Sequence, residues 1–408
     1  MRILMLTQWF DPEPAFKGLQ FALALQARGH SVQVLTGFPN YPGGKVYPGY
    51  RIRLWQREVM RGISVLRVFL YPSHSRSAAG RVLNYLSFAL SATLLGPLLL
   101  KPADVAYVYH PPATVGLPAL AFKYLRRVPF VYDVQDLWPD TLTATGMVNG
   151  SLALRLLGRW CQLVYRAADR IAVLSPGFQQ RVSERGVPSS KVRLVYNWTH
   201  AIPPTAPDAP LGKALAGKFV VLFAGNLGAA QGLDTVLDAA KLTRDRHPEL
   251  CFAFAGSGVE EPRLRQRAAA EGLANVVFLG RRPPEAMGGV YAWAAALLVH
   301  LRDDPLFAIT IPSKTQTCLA IGKPILMGVR GDAADLVRAA GAGIVFAPGQ
   351  AAALAQAAGE LQEMPEAARQ RMGDAGRAYY EAHLSLAAGV QAFEEEFMRA
   401  AGIESCGS

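Results

Sequence analysis

The stretch MRILMLTQWFDPEPAFKGLQFALALQARGHSVQVLT, residues 1–36, decides the fold. Its RILMLT (2–7) is a short apolar run suited to a buried strand, and a polar loop follows. In FKGLQFALALQARGH (16–30), Leu19, Ala22, Leu23 and Leu25 fall at helical spacing. Gly29 closes that helix, and SVQVLT (31–36) alternates apolar residues as the next strand. Further on, ADVAYVYH (103–110), VPFVYDV (128–134) and RIAVLS (170–175) read as strands of the kind buried in parallel sheets, with helical stretches between them. Strands alternating with helices imply a doubly wound α/β sheet.

The texture changes around 196–217, where NWTHAIPPTAPDAPLGKALAG is rich in Pro and Ala, lacks a hydrophobic period and reads as an interdomain linker. The alternation then restarts with KFVVLFAGN, CFAFAGSG, NVVFLG, AALLVHL, KPILMG and GIVFA. Two similar α/β domains follow, 1–198 and 199–384, with an amphipathic tail helix in 385–408 whose charges cluster at Glu394 to Glu396. A chain of 408 residues, 51% apolar and 18% charged, suits two globular cores and not extensive disorder. Cys161, Cys251, Cys318 and Cys406 lie far apart without metal-ligand spacing, so free thiols in a reducing compartment are expected.

The net charge of +11 is uneven: residues 1–200 carry 23 Lys+Arg against 9 Asp+Glu, whereas 201–408 carry 19 against 22. The first half therefore faces something anionic: nucleic acid, a phospholipid surface or a phosphorylated substrate. With no RNP pattern or zinc finger, nucleic acid ranks last and no nucleic-acid partner is expected. The opening residues carry no secretory h-region. VLNYLSFALSATLLGPLLL (82–100) is nineteen residues without a charge, long enough to cross a bilayer. Its Asn84, Ser87, Ser91, Thr93 and Pro97 favour a buried helix or one resting on a membrane surface. Arg51, Arg53, Arg57, Arg61, Arg67, Arg76 and Arg81 precede it as a basic patch for anionic lipid.

GxGxxG, Walker A, HExxH and GxSxG are all missing, which removes support for NAD redox chemistry, P-loop hydrolysis, zinc proteolysis and serine hydrolysis. Gly256 and Gly258 in AGSGVEEPRLRQRA either admit a ligand to the backbone or make a tight turn. Lys17-Gly18 stands at a helix start that favours a phosphate, or Gly18 merely permits close packing. AGNLGAAQG (224–232) brackets Asn226 and Gln231 with glycines, suiting a loop beneath a ligand or simple flexibility. YDVQDLWPDT (132–141) places Asp133, Asp136 and Asp140 around Trp138 just past a strand, a set that suits a sugar or an acid-rich helix start. His110 in VYHPP bonds a substrate group or a backbone carbonyl. In TIPSKTQTCLAIGKP (310–324), Lys314 sits in the first turn of a helix, where ammonium and free N–H groups together stabilise a diphosphate.

RGHSVQVLTGFPNYP (28–42), YDVQDLWPD (132–140), VVLFAGNLGAAQGLDTVLDAA (220–240) and IPSKTQTCLAIGKPIL (311–326) resemble, in order, the family 4 glycosyltransferases of the GT-B fold. DLWPD and IPSK resemble the bacterial surface-polysaccharide branch, which includes L-fucosamine (FucNAc) transferases of O-antigen, lipopolysaccharide and capsule synthesis and colanic acid enzymes. The resemblance implies two facing Rossmann-like domains across a cleft, the second holding a UDP-sugar and the first a lipid-linked or lipopolysaccharide-precursor acceptor. It implies a metal-independent, retaining transfer at the cytoplasmic face of the inner membrane, by a peripherally bound enzyme without cofactor.

The family's two glutamates, eight positions apart, align with Ile309 and Thr317, and two further basic contacts align with Asn226 and Gln231. Lys314 is left as the main donor-side cation beside Ser313, with Gln316 and Thr317 as candidates for the ribose and Arg281 and Arg282 flanking the base. Lys314, Asp136 and His110 are the expected catalytic residues; Gly18, Asn226, Gln231, Gly256, Gly258, Arg281, Ser313, Gln316 and Thr317 help hold the donor; Lys17, Asp136 and Trp138 take the acceptor. A non-hydrolysing UDP-sugar 2-epimerase of the same fold, or a catalytically degenerate assembly partner, are the alternatives.

Overall fold

The computed structural model describes residues 1–73, 78–141, 151–199, 202 and 205–403. The chain divides into two compact units, Met1–Val195 joined by the residues from Gly389 onward, and Tyr196–Ala388.

The first unit opens with β1 (Arg2–Leu6), α1 (Leu19–Ala27) and β2 (Ser31–Gly37), followed by β3 (Trp55–Met60) and β4 (Ile63–Val68). It continues with α2 (Ala78–Leu99), β5 (Val105–His110), α3 (Gly116–Arg126) and β6 (Phe130–Val134). Then come α4 (Ser151–Ala167), β7 (Arg170–Val173), α5 (Pro176–Glu184) and β8 (Val192–Leu194). The sheet order is β3-β4-β2-β1-β5-β6-β7-β8, parallel except for β3. Its central strands bury both faces, as the apolar runs require: Ile3 to Leu6 and Val105 to Val108 are fully buried.

The β3–β4 hairpin is not legible as apolar runs, because β3 alternates exposed and half-buried residues. Its turn is Arg61-Gly62, both at positive φ. It also revises the basic patch. Arg67 is fully buried in β4, donating to Glu58 (2.6 Å), Gly37 O (2.9 Å) and Asp11 O. It braces loops instead of meeting lipid. Arg57 reaches the carbonyl of Leu99 at the end of α2, and Arg76 lies outside the described residues.

The second unit contains α6 (Ala209–Leu215), β9 (Phe219–Ala224), α7 (Asp234–Thr243), β10 (Leu250–Ala255), α8 (Glu261–Ala270) and β11 (Val276–Gly280). After these come α9 (Met287–Ala292), β12 (Ala296–His300), α10 (Pro305–Ala308), α11 (Ser313–Ile321) and β13 (Ile325–Gly328). The unit ends with α12 (Asp332–Ala339), β14 (Gly343–Val345), α13 (Ala351–Glu363) and α14 (Glu366–His383). Its parallel sheet runs β11-β10-β9-β12-β13-β14. All six strand candidates of this half are strands. The expected linker, however, holds α6, whose Leu211 and Leu215 are buried in the second unit's core.

The tail helix α15 (Leu386–Ala400) packs on the first unit from Gly389 onward. Phe393 and Phe397 contact Tyr107, and Phe393 also meets Phe21 of α1. The tail acids face inward: Glu394 pairs with Arg28 and His30, and the fully buried Glu396 pairs with Arg170 and Arg399.

Candidate functional site

In the second unit the strand order reverses between β9 and β12, and ligands of open α/β sheets bind at the carboxyl ends of strands at such a switch. The loops leaving β9 and β10 interlock there. Gly225 N–H donates to Ala255 O (2.8 Å) and Leu227 N–H to Ser257 O (2.9 Å). A Cβ on Gly256 would collide with Gly225 O, and one on Gly258 with Leu227 O. These glycines are therefore needed for loop-against-loop packing, whatever else approaches them. Gly225, Asn226, Gly256, Arg281, Met287 and Tyr291 line a pocket of about 400 Å³ above the loops.

Lys314 is the second residue of α11, a helix whose N-terminal Pro312 gives no side-chain cap. Its side chain passes over Phe223, with Nζ 3.7 Å from the ring centroid. Nζ also lies 3.1 Å from where a Cβ on Gly225 would stand. It is buried and has no hydrogen-bond partner. Burial lowers its pKa to about 8, so at neutral pH it is still mostly an ammonium. A buried charge without a partner is costly, and a cation–π contact recovers only about 2 kcal/mol. An anion brought to the uncapped helix start completes both groups at once.

The other donor-side residues divide. Asn226 and Arg281 are exposed at the pocket and Ser313 is exposed at the helix start. Gln231 is committed to its own loop, its Oε1 accepting from Gly228 N–H at 3.1 Å. Gln316 is buried, with its amide nitrogen turned onto Pro312 O (2.8 Å) and Ser313 O (3.0 Å). This corrects its expected ribose role, since the side chain is 2% exposed and turned onto its own helix. Thr317 shares a hydrogen bond with Thr199 Oγ1 (2.9 Å) and keeps acceptor capacity. Arg282 lies 3.8 Å from Asp208.

His300 carried no functional expectation, because it reads as one residue of an apolar strand. At the end of β12 its Nδ1 meets Gln231 O at 2.6 Å, while Gly349 N–H donates to its Nε2 at 3.2 Å. That pair places the proton on Nδ1 and pins the loop after β9 to the loop after β14. Among the described residues no group of three or more His, Cys, Asp and Glu converges to hold a metal ion.

In the first unit the order reverses between β1 and β5. There the expectations for Lys17 and Gly18 are corrected. Lys17 is buried, its Nζ 2.6 Å from Asp133 Oδ2, and Asp133 also accepts from Tyr107 (2.6 Å) and Gln135 (2.6 Å). This cluster cements β5, β6 and the loop after β1, so neither Lys17 nor Asp133 is presented to a ligand. The start of α1 already holds an anion. Asp11 Oδ2 accepts from Leu19 N–H at 2.7 Å, and a Cβ on Gly18 would strike that oxygen. Gly18 thus admits a carboxylate of this chain and not a diphosphate.

Of the three acids around Trp138, Asp140 pairs with Arg185 (2.9 Å), which leaves Asp136. Asp136 is half-buried, and desolvation raises its pKa to about 6. Trp138 is buried, its ring 5.6 Å from His110 and 6.4 Å from Tyr85, so it backs the site more than it covers a sugar. His110 is buried with neither ring nitrogen partnered, and burial, then the charge of Arg185, lowers its pKa to about 3. At neutral pH its imidazole is therefore uncharged.

The aromatic wall continues through residues that sequence reasoning missed. Trp9, after β1, lies 4.9 Å from Tyr41 and 6.3 Å from Tyr85. Glu13 holds the wall by accepting from the N–H groups of Asn40 and Tyr41, each at 2.7 Å. Trp9 and Tyr41 lie in loops after strands and Tyr85 lies within α2, so only folding brings the three rings together.

Residues 19–198 match the Glycosyl transferase 4-like domain family, and residues 212–379 match Glycosyl transferases group 1. The chain is 28% identical to the "Probable glycosyltransferase WbjE" of Pseudomonas aeruginosa, covering 65% of this chain and 67% of that one. It is also 28% identical to the "Putative colanic acid biosynthesis glycosyl transferase WcaI" of Escherichia coli K12, over 73% and 75% of the two chains. Among solved structures, an α,α-trehalose-phosphate synthase (UDP-forming) from Burkholderia vietnamiensis aligns with TM-score 0.71 at 16% identity over 98% of both chains. Anabaena HepE in complex with UDP aligns with TM-score 0.67 at 16% identity, over 97% of this chain and 99% of that one.

Proposed function

We propose that this chain, which belongs to the family 4 glycosyltransferases and has the GT-B fold, takes its sugar from a UDP-sugar and passes it to a lipid-linked or lipopolysaccharide-precursor saccharide. An N-acetylated amino or deoxyamino sugar such as FucNAc is the donor class proposed, with retention at the anomeric carbon and no metal. The observation that carries the reading is Lys314: a buried, unpartnered ammonium at an uncapped helix start beside a glycine-lined pocket. The UDP complex of HepE and the UDP-forming synthase support a uridine diphosphate as the anion.

As the bond from the anomeric carbon to the diphosphate breaks, charge develops on the leaving oxygen. Lys314 Nζ and the first turn of α11 stabilise it without reorganising. Asp136, ionised above about pH 6, accepts a hydrogen bond from a sugar hydroxyl, and neutral His110 donates or accepts a second. The epimerase alternative is not favoured, since both halves match transferase families and both curated relatives carry transferase names.

Thermal shift against UDP-, GDP- and ADP-sugars, followed by transfer to lipid-linked saccharides with NMR of the product anomer, tests the reading. Selective stabilisation by UDP-sugars with transfer is expected. Binding of no nucleotide would point to the degenerate assembly partner, and acceptor-free conversion of UDP-GlcNAc to the epimerase.

A further inference from the structure

One helical layer of the first unit is built unlike any other surface described. The connections β4–α2–β5, β5–α3–β6, β6–α4–β7 and β7–α5–β8 all step the same way along the sheet, and right-handed crossovers then place α2, α3, α4 and α5 on one face; the acid of α5, Glu184, is paired with Arg181. Contacts confirm the layer. Gly96 of α2 abuts Phe122 of α3, Arg126 of α3 reaches Pro97 O, and Trp160 of α4 donates to Ala113 O just before α3 (3.0 Å).

The inner side of α2 is used by its own fold. Phe88, Ala89 and Ala92 are buried, and Asn84 is fixed by Gln8 (2.6 Å), Asn40 (3.2 Å) and Tyr71 O (2.7 Å). The outer side is a leucine ridge: Leu86, Leu90, Leu94 and Leu98 recur every fourth residue, rising from 47% to 81% exposed. Tyr124 and Leu125 of α3 and Leu152, Leu156 and Leu163 of α4 are exposed as well. The charges on these three helices have one sign. Arg81, Lys123, Arg126, Arg155, Arg159 and Arg166 lie within them, and no Asp or Glu does. Lys123 is engaged with Asp169 and Arg126 with Pro97 O, and Arg81 and Arg155 have partners within the chain, while Arg159 and Arg166 are exposed.

We propose that this layer docks in the plane of an anionic lipid bilayer, its leucines entering the interface and its arginines meeting headgroup phosphates. Exposed leucine with arginine and no acid matches an interfacial helix face. A spanning role for α2, which has the length and mean hydropathy of 1.6 for one, would strip Phe88, Ala89 and Asn84 from their partners. Of the arginine patch that sequence suggested, Arg67 is buried and takes no part, whereas Arg81 lies within α2 and belongs to this layer.

The test is co-sedimentation of the full chain with vesicles of phosphatidylethanolamine and phosphatidylglycerol, and with phosphatidylcholine alone, at low and high salt. Salt-sensitive binding to the anionic vesicles is expected. The pair Leu90→Glu with Leu94→Glu, and separately Arg159→Glu with Arg166→Glu, lower it by about tenfold or more. Reversal of Arg244 and Arg246 on the second unit changes it by less than about twofold. Equal binding to phosphatidylcholine, unchanged binding by both paired variants, or self-association of the chain in place of vesicle binding would each overturn the proposal. Circular dichroism and UDP titration of the same samples report folding and the donor site independently, so failure of docking is distinct from failure of the transferase reading.

Discussion

Replacing Lys314 with Met should move stability and ligand binding in opposite directions. Without ligand, the ammonium is buried beside Phe223 with no acceptor. The fall of its pKa to about 8 corresponds to about 3 kcal/mol of destabilisation at neutral pH. Met keeps the aliphatic packing and removes the charge, so Lys314→Met is expected to raise ligand-free stability by up to about 3 kcal/mol in urea unfolding. The sign with pH follows. Between about 8 and the ordinary lysine value the unfolded chain holds the proton and the folded chain does not, so wild-type stability rises with pH across that window.

UDP affinity runs the other way. Above about pH 8 the ammonium must regain its proton to pair with the diphosphate, so affinity measured by calorimetry should fall by up to about tenfold per pH unit. In Lys314→Met that slope should disappear. Turnover with a competent donor should fall about a hundredfold or more, the cost of about 2.7–4 kcal/mol of lost oxyanion-type stabilisation. A variant that binds UDP as wild type does, or that is destabilised without ligand, would refute the reasoning.

Two further outcomes are expected. His110 takes up its proton only near pH 3 in the folded chain, whereas the unfolded chain takes it up near pH 6.5, so stability drops as pH falls through that interval. Asp136 and Glu13, raised to about 6 and about 7, work in the opposite sense, so the term is read as a difference: His110→Gln should unfold with a shallower acid slope than wild type, and an unchanged slope would count against the buried neutral imidazole. Lys17→Met leaves Asp133 buried without its cation and should cost about 3–5 kcal/mol in chemical unfolding; UDP affinity should be unchanged, and a selective loss of acceptor binding with full stability would restore Lys17 to the site.

The parallel strands were readable because they are buried on both faces, which writes them as unbroken apolar runs such as VVLFA and FVYDV. The β3–β4 hairpin was not readable that way, since β3 is an edge strand whose residues remain partly in solvent. Lys314 could be found from its neighbours in sequence, because a helix start gives its meaning locally. Lys17 could not. Its role depends on Asp133, 116 residues away, and short-range pattern cannot separate a lysine that meets a phosphate from one that meets a carboxylate of the same chain. Gln316 failed for a related reason, as the amide that could reach a ribose folds back on its own turn. Trp9, Tyr41, Tyr85 and His110 converge from four separate segments, so their shared surface exists only after folding.

The tail helix makes the second unit, in effect, an insertion within the first. On the ribosome, the segment up to Val195 emerges with Phe21, Tyr107 and the Lys17–Asp133 pair lacking the cover of Phe393, and Arg170 lacking Glu396. That cover arrives only after nearly two hundred more residues have been made. The first domain is therefore the last to be finished, although it is the first to be translated, and a chaperone has its longest window on the half that carries the leucine ridge.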